Sequence, residues 1–134
     1  MTKHQPTILL VEDEEGFRRV YRDYLESRGY RVVEAEDGEA GWQLARTANP
    51  DLVLLDIVMP KLNGFEVLKR IRDELGAKLP VLILSVLGEQ GDREMGMDLG
   101  ANGYIVKGSV SPREIAEVIE QSLGVPAPLD PNPA

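Results

Sequence analysis

Five short runs of β-branched or leucine-rich residues alternate with segments of helical periodicity, and this alternation limits the fold more than any other feature. The runs are Thr7 to Val11, Arg31 to Ala35, Leu52 to Leu55, Val81 to Ser85 and Gly103 to Val106. Strands separated by single helices pair in parallel, and the helices then cover both faces of the sheet. A chain of 134 residues is long enough for one such domain. We therefore predict one α/β domain.

Sequence signals mark a start or an end of four of the helices between these runs. They are a helix stop at Gly29, an N-cap at Asp37, a start near Gly64 and a capping box at Ser111 and Glu114. The first helix also has apolar side chains at helical spacing, which form a stripe suited to packing on a sheet. This stripe consists of Phe17, Val20, Tyr21, Tyr24 and Leu25.

Two segments have weaker signals. The fourth helix is predicted to be short, frayed or mobile, because each interior glycine costs about 1 kcal/mol relative to alanine. The glycines in or beside it are Gly88, Gly91, Gly96 and Gly100. Residues 125–134 contain four prolines in ten residues, which is typical of an extended linker. We predict a domain over residues 1–124 and a proline-rich tail or linker stub over residues 125–134.

Four charged residues follow three of the apolar runs. Glu12 and Asp13 follow the first run, Asp56 follows the third, and Lys107 follows the fifth. The carboxyl ends of parallel strands share one sheet edge, where open α/β folds place ligand sites. Two carboxylates about 4 Å apart repel by about 4 kcal/mol at an effective dielectric constant of about 20, so three of them indicate a bound cation. Oxygen ligands without nearby His or Cys favour Mg²⁺, with Mn²⁺ as the alternative.

The composition excludes several functions. Acidic residues exceed basic ones by 23 to 15, and the net charge of −8 opposes direct binding to nucleic acid. The chain has no Cys, which excludes disulfides, thiolate metal sites and a catalytic thiol. The start lacks an export signal, and the apolar runs are far shorter than the ~18 residues of a membrane span. We expect a cytoplasmic protein without membrane insertion, in which His4 carries no phosphate.

The acidic cluster belongs to a longer pattern that resembles the receiver domain of response regulators in two-component signalling, over about residues 5–124. The matching residues are Glu12, Asp13, Asp56, Met59, Pro60, Gly64, Ser85, Tyr104 and Lys107. The resemblance implies a flavodoxin-like sheet of five parallel strands in the order 2-1-3-4-5, with five helices. It also implies a signalling switch that is not an enzyme acting on separate substrates.

The resemblance assigns roles to these residues. Asp56 is the phospho-acceptor, and its donor is a sensor histidine kinase, a phosphotransfer protein or a small phosphodonor. Asp13, Asp56 and the backbone carbonyl of Val58 ligate Mg²⁺, while Glu12 acts through a metal-bound water. Lys107 pairs with the phosphoryl oxygens, and Ser85 hydrogen-bonds the phosphoryl group.

Movement of Ser85 would leave space into which Tyr104 turns. The switched surface comprises the fourth helix, the fifth strand and the fifth helix, and it binds a downstream protein target.

The sequence departs from the family pattern at a few positions beside the predicted site. Gly108 follows Lys107 where relatives commonly have proline, often after a cis bond, so a trans bond or a strained one is expected here. Val86 follows Ser85 where a smaller residue is frequent, which would narrow access to the pocket. The apolar Val58 and Leu87 would flank the phosphoryl group, and they predict slow self-hydrolysis because a water there has fewer partners.

Three other functions share part of this sequence pattern. A flavodoxin would offer hydroxyls and amides to a phosphate, whereas the first loop here reads EDEEG. A phosphohydrolase of the haloacid dehalogenase type would need Asp in place of Val58. A receiver-like module that binds partners without phosphorylation is the serious alternative. The basic residues Arg18, Arg19 and Arg22 are interpreted as a solvated helix face, with kinase docking as the other reading.

Overall fold

The computed structural model describes residues 5–129, and within them five strands alternate with five helices. The strands are β1 (Thr7–Val11), β2 (Arg31–Ala35), β3 (Leu52–Leu55), β4 (Val81–Ser85) and β5 (Gly103–Val106). The helices are α1 (Glu15–Ser27), α2 (Gly38–Thr47), α3 (Gly64–Leu75), α4 (Gln90–Asp98) and α5 (Pro112–Leu123). His4 lies outside the described residues.

The strands form one parallel sheet in the order β2-β1-β3-β4-β5, which confirms the predicted fold. β1 is central and pairs with both β2 and β3, so the ends of β1 and β3 lie side by side. Val11 is opposite Leu55 in this register. The residues that follow these two strands are therefore neighbours, although they are far apart in the sequence.

The sheet separates two hydrophobic cores. Alternate side chains of a strand point to opposite faces, so Leu9 and Val11 pack with α2 and α3, whereas Ile8 and Leu10 pack with α1 and α5. All of these side chains are buried. Burial on both faces is the reason that the strands are continuous apolar runs.

The predicted helix signals are present in the structure. The Asp37 side chain accepts a hydrogen bond from the Ala40 backbone N–H at 2.8 Å. Ser111 and Glu114 form both hydrogen bonds of the capping box at the start of α5. None of the helices in residues 5–129 is long and apolar enough to cross a membrane.

α4 is short, as predicted, but one of its glycines has a packing role. A Cβ added at Gly96 would lie 2.6 Å from Ile83 Cδ1 and 3.2 Å from Tyr104 Cδ2. Gly96 is buried, and because it has no side chain it lets α4 approach β4 and β5 closely. In the sequence this glycine indicates only a source of helix instability.

The first part of the predicted tail is anchored to the end of α1. The Leu129 N–H donates to the Arg28 carbonyl at 2.8 Å, and the Arg28 Nε donates to the Leu129 carbonyl at 3.1 Å. Arg28 is buried, and a buried guanidinium needs such acceptors. The segment up to Leu129 is therefore held against the domain and is not a loose linker. Residues 130–134 of the tail lie outside the described residues.

Candidate functional site

The carboxyl edge of the sheet brings together Glu12, Asp13, Asp56 and Lys107, as the sequence predicted. Lys107 Nζ lies 3.0 Å from Asp56 Oδ2 and forms a direct ion pair with Glu12 Oε1. The side chains of Glu12, Asp56 and Lys107 are almost fully buried, whereas Asp13 is exposed. The cluster is therefore a pocket whose open side is at Asp13.

Backbone hydrogen bonds extend the sheet beyond the strand ends and hold the site residues in place. The Glu12 N–H donates to the Ala35 carbonyl at 3.0 Å, and the Asp56 N–H donates to the Val11 carbonyl at 3.0 Å. The Lys107 N–H donates to the Ser85 carbonyl at 2.8 Å. The backbone of each of these three residues is thus hydrogen-bonded to the sheet, which limits the movement of the side chain that it carries.

The two oxygens of the Asp56 carboxylate have different partners. Oδ1 accepts a hydrogen bond from the Ile57 N–H at 2.7 Å, and Oδ2 accepts one from the Lys107 ammonium. These contacts orient the carboxylate, and charge-assisted bonds of this kind are about twice as strong as neutral ones.

Burial and charge act in opposite directions on the ionisable groups of the pocket. Burial raises the pKa of Glu12 to about 7, although the hydrogen bond from Lys107 partly opposes this shift. Burial would lower the pKa of Lys107, but its bonds to Glu12 and Asp56 outweigh burial and raise the pKa. Lys107 therefore stays charged, whereas burial makes the Glu12 carboxyl group harder to ionise.

The acids have the arrangement and chemistry of a site for a hard cation. One carboxylate oxygen from each of Glu12, Asp13 and Asp56 lies within 4.8 Å of the others. Three carboxylates face one ammonium, so ionisation of all three leaves an excess of negative charge. An oxygen-only donor set with this charge fits Mg²⁺.

The remaining predicted residues lie beside this cluster. Ser85 is fully buried at the end of β4, and its Oγ accepts a hydrogen bond from the Leu87 N–H at 3.2 Å. Val58 follows Asp56 in the loop before α3 and is 54% exposed. Val86 is exposed as well. Slow self-hydrolysis beside Val58 and Leu87 stays a prediction.

Tyr104 is already turned inward in this structure. Its ring packs against the core on the α4 side, and its hydroxyl donates to the Leu87 carbonyl at 2.5 Å. The Arg93 guanidinium lies 5.6 Å from the ring centroid. Room for the ring comes from Gly96, so the inward position does not require a phosphoryl group on Asp56.

The bond between Lys107 and Gly108 is trans, as are all peptide bonds of residues 5–129. Gly108 has φ of +83°, which is unfavourable for other residues and explains why glycine can stand at this turn. Lys107 reaches the acids without the proline that is common in the family.

Two residues of α1 contact the site although the sequence pattern does not indicate it. Arg18 Nη1 donates to the Glu12 carbonyl at 2.8 Å, and Nε pairs with Glu34 at 3.4 Å. Its side chain is only 16% exposed, so the interpretation as a solvated face is wrong for Arg18. Phe17, predicted only as part of the packing stripe, lies against Lys107. The one available signal was their position in the first turn after the acidic pair.

Comparisons with known proteins agree with this geometry. The family model for the response regulator receiver domain matches residues 8–120. A probable transcriptional regulator, ycf27, from Cyanophora paradoxa is 39% identical over 123 residues, which cover 92% of this chain and 50% of that protein. The alkaline phosphatase synthesis transcriptional regulatory protein PhoP of Bacillus subtilis is 42% identical over 108 residues, covering 81% and 44%.

A solved structure shows the same fold. The CheY-like response regulator receiver domain protein from Methanospirillum hungatei JF-1 has a TM-score of 0.85 and 26% identity, covering 90% of this chain and 95% of that one. Fold and site thus define a signalling domain with an acidic pocket at the carboxyl edge of a parallel sheet. The chain belongs to the response regulator receiver domain family of two-component signalling. It spans about half the length of the curated relatives it matches.

Proposed function

We propose that this domain is the phospho-acceptor of a cytoplasmic phosphorelay and that Asp56 is the acceptor residue. A carboxylate oxygen of Asp56 forms a bond to phosphorus while the N–P bond of a phosphohistidine on a sensor kinase or phosphotransfer protein breaks. The electron pair of that bond leaves on the imidazole nitrogen. The observation that best supports this role is the contact between the buried Asp56 carboxylate and Lys107 beside two further carboxylates.

Charge compensation is the main catalytic requirement of phosphoryl transfer. Glu12, Asp13 and Asp56 would hold Mg²⁺ together with the backbone carbonyl of Val58, and the cation would neutralise charge between the acids and the phosphoryl oxygens. Lys107 lies where its ammonium can exchange a carboxylate partner for a phosphoryl oxygen. Both transfer to Asp56 and loss of the phosphoryl group are self-catalysed in this proposal, so the domain is a switch.

The signal would leave through the surface of α4, β5 and α5. Ser85 would donate its hydroxyl hydrogen to the phosphoryl group, and a rotation of its side chain would alter the bond that its Oγ accepts from the Leu87 N–H. The Leu87 carbonyl holds the Tyr104 hydroxyl, so one loop residue links the two switch residues. A change at Asp56 would therefore reach Tyr104 and α4 through this loop.

We propose a protein as the downstream target of this domain. Curated relatives are named transcriptional regulators and are about twice as long as the matched region. The net charge of −8 opposes contact between this domain and DNA. Any DNA contact by a longer protein would then belong to its other part.

Treatment with acetyl phosphate and Mg²⁺, followed by intact-mass measurement, tests the acceptor role. We expect a mass gain of one phosphoryl group in the wild type, no gain in Asp56→Asn, and no gain in the wild type with EDTA. Asp51→Asn is the matched control on a carboxylate before β3, and it should keep the gain. Absence of a gain in the wild type would favour the module that binds partners without phosphorylation.

A further inference from the structure

The ammonium group of Lys107 lies over an aromatic ring as well as beside its carboxylate partners. Lys107 Nζ is 4.7 Å from the centroid of the Phe17 ring, within the range of a cation–π interaction. The same atom contacts Asp56 Oδ2 and Glu12 Oε1. The ring belongs to the first turn of α1, so α1 supplies a contact to a residue that follows β5.

Lys107 has the Phe17 ring as a third partner, besides the two carboxylates that hold its ammonium. Its stem has four rotatable bonds and loses much conformational freedom when the ammonium is held in one place. The next residue, Gly108, lies in a left-handed turn and carries no side chain that could pack on the stem. The backbone bond to Ser85 fixes only the start of the lysine.

The Phe17 ring is itself held in position. It stacks on Tyr21 with the ring centroids 5.9 Å apart and the planes inclined by 19°. Tyr21 is buried in the core between the sheet and α5. α1 begins at Glu15, two residues after Asp13, so the Phe17 ring and the acidic pair Glu12 and Asp13 are close together in the chain.

The attraction of the ring would also persist when the lysine changes partners. On phosphorylation of Asp56 the ammonium would have to leave Oδ2 and contact a phosphoryl oxygen. A cation–π interaction depends on distance from the ring face and not on one acceptor atom, so a small movement of Nζ retains it. An apolar side chain of similar volume would offer packing but no such attraction.

We propose that Phe17 is a positioning residue that holds the Lys107 ammonium at the acceptor pocket. This inference rests on the proposed phospho-acceptor function, because it assigns a supporting residue to the same site. Phe17 acts through Lys107 and does not touch the reacting atoms.

The test compares Phe17→Leu, which keeps an apolar side chain, with Phe17→Tyr, which keeps the ring. NMR spectra of the unphosphorylated protein should show the Lys107 ε-methylene protons shifted upfield by the ring current in the wild type and in Phe17→Tyr. Phe17→Leu should lose this shift. With acetyl phosphate and Mg²⁺, Phe17→Leu should be phosphorylated about three- to tenfold more slowly, and Phe17→Tyr within about twofold of the wild type.

Tyr24→Leu is the matched control, because it removes an aromatic side chain that packs in the same core but lies at the far end of α1. It should leave both the Lys107 shift and the phosphorylation rate unchanged. An unshifted Lys107 signal in the wild type, or equal rates for wild type and a folded Phe17→Leu, would overturn the inference. If the wild type takes up no phosphate, the proposed function fails, and the ring-current shift still decides whether Phe17 holds Lys107.

Discussion

Two charged clusters lie at opposite ends of α1, and they are built differently. At its start, the carboxylates of Glu12, Asp13 and Asp56 face the single ammonium of Lys107. At its end, the guanidinium of Arg28 pairs with Glu120 at 2.7 Å and also donates to the Leu129 carbonyl and the Tyr24 hydroxyl. The first cluster has surplus negative charge, whereas the second has one cation, one anion and neutral acceptors.

The difference separates a site from a structural contact. Buried charges with a purely structural role are paired with an opposite charge and hydrogen-bonded, because burying an unpaired charge costs free energy. The Arg28 cluster meets this condition and joins α1, α5 and the segment at Leu129. The acidic pocket does not meet it, and its surplus of carboxylates fits the proposed cation site. Loss of a charge should therefore have opposite effects on stability at the two ends.

The largest expected effect is that of Arg28→Met. The substitution leaves the Glu120 carboxylate without its cation and removes one of the two hydrogen bonds to Leu129, and we expect the free energy of unfolding to fall by about 2 to 4 kcal/mol. Urea denaturation measures this change. Arg19→Met, at an exposed ion pair on the same helix, should change it by less than about 0.5 kcal/mol. Equal effects of the two substitutions would remove the distinction between a buried and a surface pair.

Glu120→Gln should lower the free energy of unfolding by about 1 to 2 kcal/mol. The amide keeps the shape of the side chain but loses the charge that Arg28 binds, and the partial exposure of Glu120 moderates the cost. Glu117→Gln is the matched control, since Glu117 lies on α5 in an exposed pair with Arg113 at 3.7 Å. An unchanged urea midpoint in Glu120→Gln would contradict a structural role for this carboxylate.

Tyr30, close to the same cluster, should make stability fall at alkaline pH. Burial raises its pKa to about 12 from the 10 of the unfolded chain, so its contribution is complete below pH 10 and disappears between pH 10 and pH 12. The loss should reach roughly 1 kcal/mol at pH 11. Urea denaturation of wild type and Tyr30→Phe at pH 8 and pH 11 measures it. Parallel losses in the two proteins would exclude Tyr30 as the cause.

Asp13→Asn should have the smallest effect and the opposite sign. The substitution removes one of three like charges without breaking a bond to Lys107, and we expect a gain of about 0.5 to 1 kcal/mol without divalent cations. With saturating Mg²⁺ the gain should disappear, because binding stabilises the wild type more than the variant. Asp73→Asn, on the exposed side of α3, is the control. A loss of stability in Asp13→Asn without Mg²⁺ would show that the pocket is not electrostatically strained.

Most of the fold can be predicted from local sequence patterns. The runs at Leu52 to Leu55 and Val81 to Ser85 are strands with the predicted bounds, because strands buried on both faces must be continuously apolar. Asp37 and Ser111 cap helices because their side chains bond to backbone groups only a few residues away. Such signals depend on residues that are close together in the chain, so they can be recognised in the sequence.

The packing details could not be predicted in the same way. In the sequence Gly96 indicates a weakness of α4, yet in the structure it allows close contact with Ile83 and Tyr104. Leu129 belongs to a composition typical of a linker, yet its backbone bonds to Arg28 across the fold. These contacts join residues whose proximity depends on the angles between packed elements, and periodicity contains no information about those angles.

The sequence by itself determined the parallel α/β architecture and the placing of Glu12, Asp13, Asp56 and Lys107 at strand ends, because both follow from local polarity and from the parallel direction of the strands. Only the tertiary structure decided that Lys107 bonds Glu12 and Asp56 beneath the Phe17 ring, that Arg18 binds the Glu12 carbonyl, and that Tyr104 lies inward. The physical reason is that each of these contacts requires side chains from separate elements to meet within a few ångströms. That meeting is set by the packing of α1 and α4 on the sheet.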